Sequence, residues 1–376
     1  MTSKRWLKII FSLLSVIICT VSLFNYIVDP YGLYKNNFLP NKPKDYEYMR
    51  LVKLLKLEEL KPNSIVIGTS RAEIAIDPAH KYFKKPSYNL ANAGLSLYEA
   101  KYYLEEAIKQ ENLNNVLLVL DWRMFNDVMK KIPDFETYFT NRNIYKYLFN
   151  FDVLQDSIFT IENQDMKSFY NSNGVMTEEY MRALININGG HYNIMKIEEK
   201  KYYKNISSNN IYKDTGMSSF EDFRTILELC YRNKINLDIV FGPSHIRQWE
   251  AFDYYKNIET WYKWKKDVVL FVEKIADEQE KTPYRIMDFS IYHELTAETV
   301  PTNTKEKMKY HWEASHYKKE LGDIVLDRLL DISPYKDFGV ELNIQNIDNH
   351  IQNLREDRVK FIDTEAYRKE VFISKP

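Results

Sequence analysis

The run Asn115-Val-Leu-Leu-Val-Leu-Asp121 carries unbroken apolar side chains from Val116 to Leu120 between polar ends. Side chains along a strand point alternately to opposite faces, so a strand without alternation has no face to give to water. Such a strand belongs inside a sheet covered on both sides, usually a parallel one. Similar short runs occur at Ser64-Ile-Val-Ile-Gly68, Ser87–Gly94, Leu237-Asp-Ile-Val-Phe-Gly-Pro243 and Arg285-Ile-Met-Asp-Phe-Ser290. Helix-like patterns follow them. Ser96-Leu-Tyr-Glu99 and Ser218-Ser-Phe-Glu221 read as capping boxes, Ile258–Ala276 spaces Trp261, Val268, Val272 and Ile275 at helical intervals, and Tyr317–Ile332 places Leu321, Val325 and Leu329 on one side. Strands at 64, 87, 115, 237 and 285, each followed by a helix, predict an α/β fold. The expected architecture is a three-layer α/β/α sandwich with a mainly parallel sheet of about five strands.

The chain is 376 residues long with a net charge of −1, which gives nucleic acid no basic surface to bind. Ile9–Val28 contains no charged residue and has about the twenty residues that a membrane-spanning helix needs. Lys4, Arg5 and Lys8 precede it and Asp29 follows. The positive-inside rule then predicts a single-pass plasma-membrane protein with a cytoplasmic N-terminus and its main domain outside. The run ends in bulky Phe24-Asn-Tyr-Ile-Val rather than a small-x-small cleavage site, which favours an uncleaved signal anchor contacting the lipid bilayer. The only cysteines are Cys19, inside that run, and Cys230, so the exported part has no internal disulfide and stands on its core.

The expected division is 1–28 for the cytoplasmic tip and anchor, 29–60 for a juxtamembrane tether and helix, 61–332 for the α/β domain and 333–376 for a partly helical appendage. The polar, aromatic stretch from about 130 to 215 breaks the strand–helix rhythm and reads as a helical insertion or lid. No phosphate-binding glycine loop or cysteine metal motif is present; His311 and His316 are wrongly spaced for a helical pair, and the expectation is no metal and no cofactor.

Ligands of open α/β sheets bind at the C-terminal strand ends. The first strand delivers Thr69 and Ser70 at a helix start. Ser70-Arg-Ala-Glu73 has two readings there: an N-cap in a capping box, or a nucleophilic serine exposed by the turn. The other ends deliver Asn92 and Gly94, Asp121 and Arg123, and Ser244 and His245. Downstream, Glu313 and His316 are spaced so that a carboxylate can orient an imidazole acting as base for Ser70. His245 is a tentative substrate contact or a turn residue. Trp249, Trp261, Trp264 and Trp312 form either a sugar platform or core.

In this order the blocks resemble those of the SGNH (GDSL-like) hydrolases. Gly68-Thr-Ser-Arg71 is similar to the first block, Asn89-Leu-Ala-Asn-Ala-Gly94 to the second and Glu313-Ala-Ser-His316 to the fifth, with Glu in place of the usual Asp. The resemblance spans roughly residues 60 to 332. It implies a flavodoxin-like sheet, Ser70 as nucleophile, His316 as base, Glu313 as its orienting acid, and the Ser70 and Gly94 N–H groups as oxyanion donors. The third block departs: Asp121-Trp-Arg-Met-Phe-Asn126 lacks the usual Gly-x-Asn-Asp, whose Asn completes the oxyanion hole, leaving Arg123 or Asn126 to substitute for it. Asn92, Asp121, His245 and Trp312 are the tentative substrate contacts.

Val28-Asp-Pro-Tyr-Gly32 and Met287-Asp-Phe-Ser290 resemble a membrane-anchored bacterial branch whose members serve as partners of multipass membrane acyltransferases, the D-alanyl-transfer type among them. The implied function is an extracytoplasmic serine esterase or O-acyltransferase acting on acyl esters, O-acetyl above all, of a cell-envelope polysaccharide or teichoic-acid-like polymer. The alternative is an inactive protein of the same fold that binds or assembles the polymer.

Overall fold

The structure is a computed structural model that describes residues 3–126, 135–140, 142–201, 204, 209–213 and 215–373. The chain forms two compact units, Met1–Lys56 with Asp134–Asn171, and Leu57–Pro133 with Ser172–Pro376. The stretch expected as one insertion is thus shared between the two, and its first residues, 130–134, lie outside the described ones.

The first unit begins with a helix, Ser3–Val28, of 26 residues, long and apolar enough to cross a membrane. After it the expected tether is held down rather than loose. Both carboxylate oxygens of Asp29 accept backbone N–H groups, from Leu33 at 2.7 Å and Tyr34 at 3.0 Å. Tyr31 and Leu33 are buried with Leu51, Tyr147 and Val153 in a small core.

The second unit holds a six-stranded sheet, one strand more than expected. Its strands are β1 (Ser64–Gly68), β2 (Ser87–Asn89), β3 (Asn115–Leu120), β4 (Asn236–Phe241), β5 (Arg285–Asp288) and β6 (Val340–Leu342), in the order β2-β1-β3-β4-β5-β6. The first five are parallel, and β6 closes the edge antiparallel to β5. β1 and β3 are buried along nearly their whole length, as their unalternating sequences require.

The helices that connect the parallel strands cover both faces of the sheet, as strands buried on both sides require. Leu97–Ile108, Ser219–Arg232 and Ile258–Glu278 pack in succession on one. On the other, the short helix Ser70–Ala75 packs against Lys319–Leu329. That last contact depends on Gly322, whose missing side chain leaves room for the Ala75 carbonyl. The strand order reverses between β1 and β3, the crevice where open sheets of this order bind ligands.

Candidate active site

The site is built at that reversal. β1 ends at Gly68, where a Cβ would lie 2.8 Å from the Ala72 Cβ and 2.9 Å from the Val119 carbonyl, so only glycine lets the helix turn so tightly against β3. Thr69 then occupies the N-cap position, and Ser70 is already the first helical residue. The capping-box reading of Ser70 is therefore corrected by one position. Thr69 makes no side-chain cap bond; its hydroxyl donates instead to Asp121 Oδ2 at 2.5 Å.

Ser70, relieved of capping, is half-buried with its Oγ 2.8 Å from His316 Nε2. On the far side of the ring, His316 Nδ1 makes a short hydrogen bond to Glu313 Oε1. Glu313 is itself fixed by its own loop. Its Oε1 also accepts the His316 N–H at 3.0 Å, and its Oε2 accepts the Ser315 N–H at 2.7 Å.

Burial alone would raise the Glu313 pKa. The charge and hydrogen bond of His316, the Ser315 N–H and the positive Arg71 outweigh it and hold the carboxyl below its ordinary value. An ionised Glu313 can only accept, so the Nδ1 that faces it carries a proton, and Nε2 is left turned to the serine hydroxyl. The His316 side chain keeps 18% of its surface exposed, so the series opens to solvent.

A buried guanidinium ties the two halves together. Arg71 Nη1 pairs with Asp121 Oδ2 at 2.5 Å, and Nε donates to Ser244 Oγ and the Ser315 carbonyl, both at 3.1 Å. Ser244 Oγ donates to the same carbonyl at 3.1 Å. The residue after Ser70 thus holds the loop that carries Glu313 and His316. The Gly68–Arg71 motif contains Arg71 but gave it no role; its signal is its place directly after Ser70. Glu198, from the helix His191–Lys201, is a second residue missed. Burial raises its pKa, and so does the negative charge of Glu313, which marks it as a neighbour of the triad.

The remaining predicted positions divide. The Asn92 N–H donates to the Gly68 carbonyl at 3.1 Å, which brings the turn containing Gly94 alongside the start of the serine helix. Gly94 is half-buried with φ of +63°, a conformation glycine adopts without strain.

Four side chains proposed as donors or substrate contacts are structural instead. Asn92 is buried and its Nδ2 donates to the Leu90 carbonyl at 2.9 Å. Asn126 is fully buried at the end of the 3-10 turn Trp122–Phe125, its side chain taken into the core rather than presented where a third oxyanion donor is needed. His245 caps the helix Ile246–Tyr255 by accepting the Arg247 N–H and donates from Nε2 to the Glu298 carbonyl at 2.7 Å, leaving no ring nitrogen for substrate. Trp312 is buried with Ile74, Met181, Ile185 and Ile194. Trp249, Trp261 and Trp264 are likewise core rather than a sugar platform.

Asp121 reaches the site as a brace, its Oδ2 engaged by Thr69 and Arg71 on either side of Ser70. Arg123 is half-buried beside it in sequence. Among the described residues no cluster of three or more His, Cys, Asp or Glu is arranged to hold a metal ion.

A scan of the chain against protein-family models finds no match, and a search of the curated proteins finds none.

Proposed function

We propose that this protein is a membrane-anchored serine acyl-transfer enzyme, an esterase or O-acyltransferase of the SGNH type. Its substrates would be acyl esters, O-acetyl above all, of a cell-envelope polysaccharide or teichoic-acid-like polymer. The observation that carries the reading is the unbroken series from Ser70 Oγ through the His316 ring to Glu313, reaching solvent at the reversal of strand order.

The chemistry follows from that series. Ser70 Oγ attacks the acyl carbon while its proton passes to His316 Nε2, and Glu313 stabilises the imidazolium. The Ser70 and Gly94 N–H groups bind the developing oxyanion. The ester C–O bond breaks, and the departing sugar oxygen takes the proton back from His316. Water or a second sugar hydroxyl then attacks the acyl-serine, yielding its own proton to His316; the bond from the acyl carbon to Ser70 Oγ breaks and Oγ takes that proton from His316, so that the first outcome is hydrolysis and the second transfer. The apolar N-terminal helix, with Lys4, Arg5 and Lys8 before it, would hold the main domain outside the plasma membrane, where a multipass acyltransferase could supply the acyl group.

The burial of Asn126 favours a second reading, an inactive protein that keeps the fold for polymer binding, since a missing oxyanion donor costs about 3 kcal/mol in the barrier. Intact-mass analysis of the full chain with an activated acetyl ester separates the two. The enzyme reading expects one acetyl on Ser70, discharged faster when acetyl-acceptor polysaccharide is added. Absence of any acyl adduct on folded protein contradicts it.

A further inference from the structure

The first unit carries an apolar surface that its small core does not use. The helix Phe151–Glu162 points Val153, Ser157 and Thr160 inward. Phe151, Leu154, Ile158 and Ile161 recur at intervals of three and four on a neighbouring stripe. Phe151 is 69% exposed, and Ile158 and Ile161 are 45% exposed each. The 3-10 turn just before it, Ile144–Phe149, adds Tyr145 and Phe149, 64% and 63% exposed. Five large apolar side chains in one short segment form a patch that a water-facing surface does not need.

The location of the patch indicates what covers it. Asn25, in the last turns of the N-terminal helix, is buried and donates from Nδ2 to the Leu148 carbonyl at 3.0 Å and the Asn150 carbonyl at 3.4 Å. Its Oδ1 accepts the Ser157 hydroxyl at 3.1 Å. The segment is therefore fastened to the end of the membrane helix. Along that helix, Leu13, Ile17 and Leu23 are exposed, as lipid-facing residues are, and Tyr26 and Ile27 continue the exposed surface to the level of Asn25. A hydrocarbon core of ~30 Å takes up about twenty residues, so a span beginning after Lys8 leaves Asn25 near the far boundary. Aromatic residues concentrate at that depth, and helices with one apolar stripe lie there in the plane of the interface.

We propose that Ile144–Ile161 is a second membrane contact. It lies in the interface of the leaflet at the C-terminal end of the anchor, with Tyr145, Phe149, Phe151, Ile158 and Ile161 among the headgroups and upper acyl chains. The occupant of the patch is lipid, and the first unit is a bilayer-seated platform rather than a hanging tether. The inference rests on the N-terminal helix spanning the membrane.

The test uses the full chain with Cys19→Ser, in which Cys230 stays buried, and one nitroxide label at a time through Leu13→Cys, Asp152→Cys, Phe149→Cys or Ile158→Cys. The protein is reconstituted in vesicles of phosphatidylcholine and phosphatidylglycerol. Relaxation of each label by oxygen, which concentrates in lipid, is compared with relaxation by a water-soluble nickel chelate. Labels at 13, 149 and 158 should respond several-fold more to oxygen, and the label at 152, on the polar side, more to nickel. If 149 and 158 follow 152 while 13 stays oxygen-dominated, the interfacial contact is refuted and the anchor stands. If 13 is itself nickel-accessible, the anchor reading fails and takes the proposal with it. Labels at 149 and 158 shielded from both reagents would mean that protein covers the patch, and would equally overturn it.

Discussion

The turns after β1 and β3 leave adjacent strands at the same edge, yet they do opposite things. After β1, a glycine-tightened turn presents the Ser70 hydroxyl outward to His316. After β3, Asp121 turns its carboxylate sideways onto Thr69 and Arg71, and the residues beyond it bury themselves, Asn126 completely. One turn presents the Ser70 hydroxyl to an imidazole, and the other braces the residues on either side of it. A strand end at the ligand crevice is thus a place where either a reacting or a positioning residue can stand. Which it is depends on where the polar atoms are satisfied.

Substitutions can break this contrast. The largest effect is expected at the acid behind the imidazole. Glu313→Gln keeps the size but loses the charge that fixes the His316 tautomer, and acylation of Ser70 should fall by up to about 10⁴-fold, measured as the rate of adduct formation. Asp121→Asn weakens the brace and should slow acylation per folded molecule by roughly 10- to 100-fold through misplacement of Ser70, without abolishing it.

Asn126→Ala tests the other half of the contrast. It should lower stability by about 1–3 kcal/mol in urea unfolding while leaving the acylation rate per folded molecule unchanged. A selective loss of rate would return Asn126 to the site.

The smallest effect is read from pH, and extends the comparison to the end of β4. Burial, and then the neighbouring His311, hold His245 well below its ordinary pKa of 6.5, so it is neutral in the folded protein. The unfolded chain takes up that proton below about pH 6.5 and the folded chain does not. Stability present above that pH is therefore lost as pH falls, by up to about 1.4 kcal/mol per unit. Urea midpoints at pH 7.5 and 5.5 should show the loss, and His245→Asn should flatten it.

Much of the second unit was legible in the sequence because its central strands β1 and β3 are buried on both faces and so lack polar interruptions. β6 was not, because Val340–Leu342 is three residues long and its pairing is decided by β5. The pairing of Ser70 with Glu313 and His316 was legible because the chemistry demands those residue types at strand and loop ends. The role of Arg71 was hidden: its hydrogen bonds run to Ser244 and Ser315, distant in sequence. The burial of Asn126 was not legible, because a motif position says where a residue starts and not where its side chain is satisfied; Asn126 follows Phe125 into the core. The capping box failed by a single residue for a local reason, since Asp121 draws the Thr69 hydroxyl away from the helix end. The division of the stretch after β3 between two units had no local signal, as both halves are helical and polar.

The central claim is that Ser70 is a nucleophile activated by His316. Its most direct test is the rate at which a fluorophosphonate modifies the full-length protein. The account predicts modification of Ser70 in the native chain, none in Ser70→Ala, and a rate reduced by orders of magnitude in His316→Ala. Modification that persists in Ser70→Ala, or a folded native chain that does not react, would contradict it.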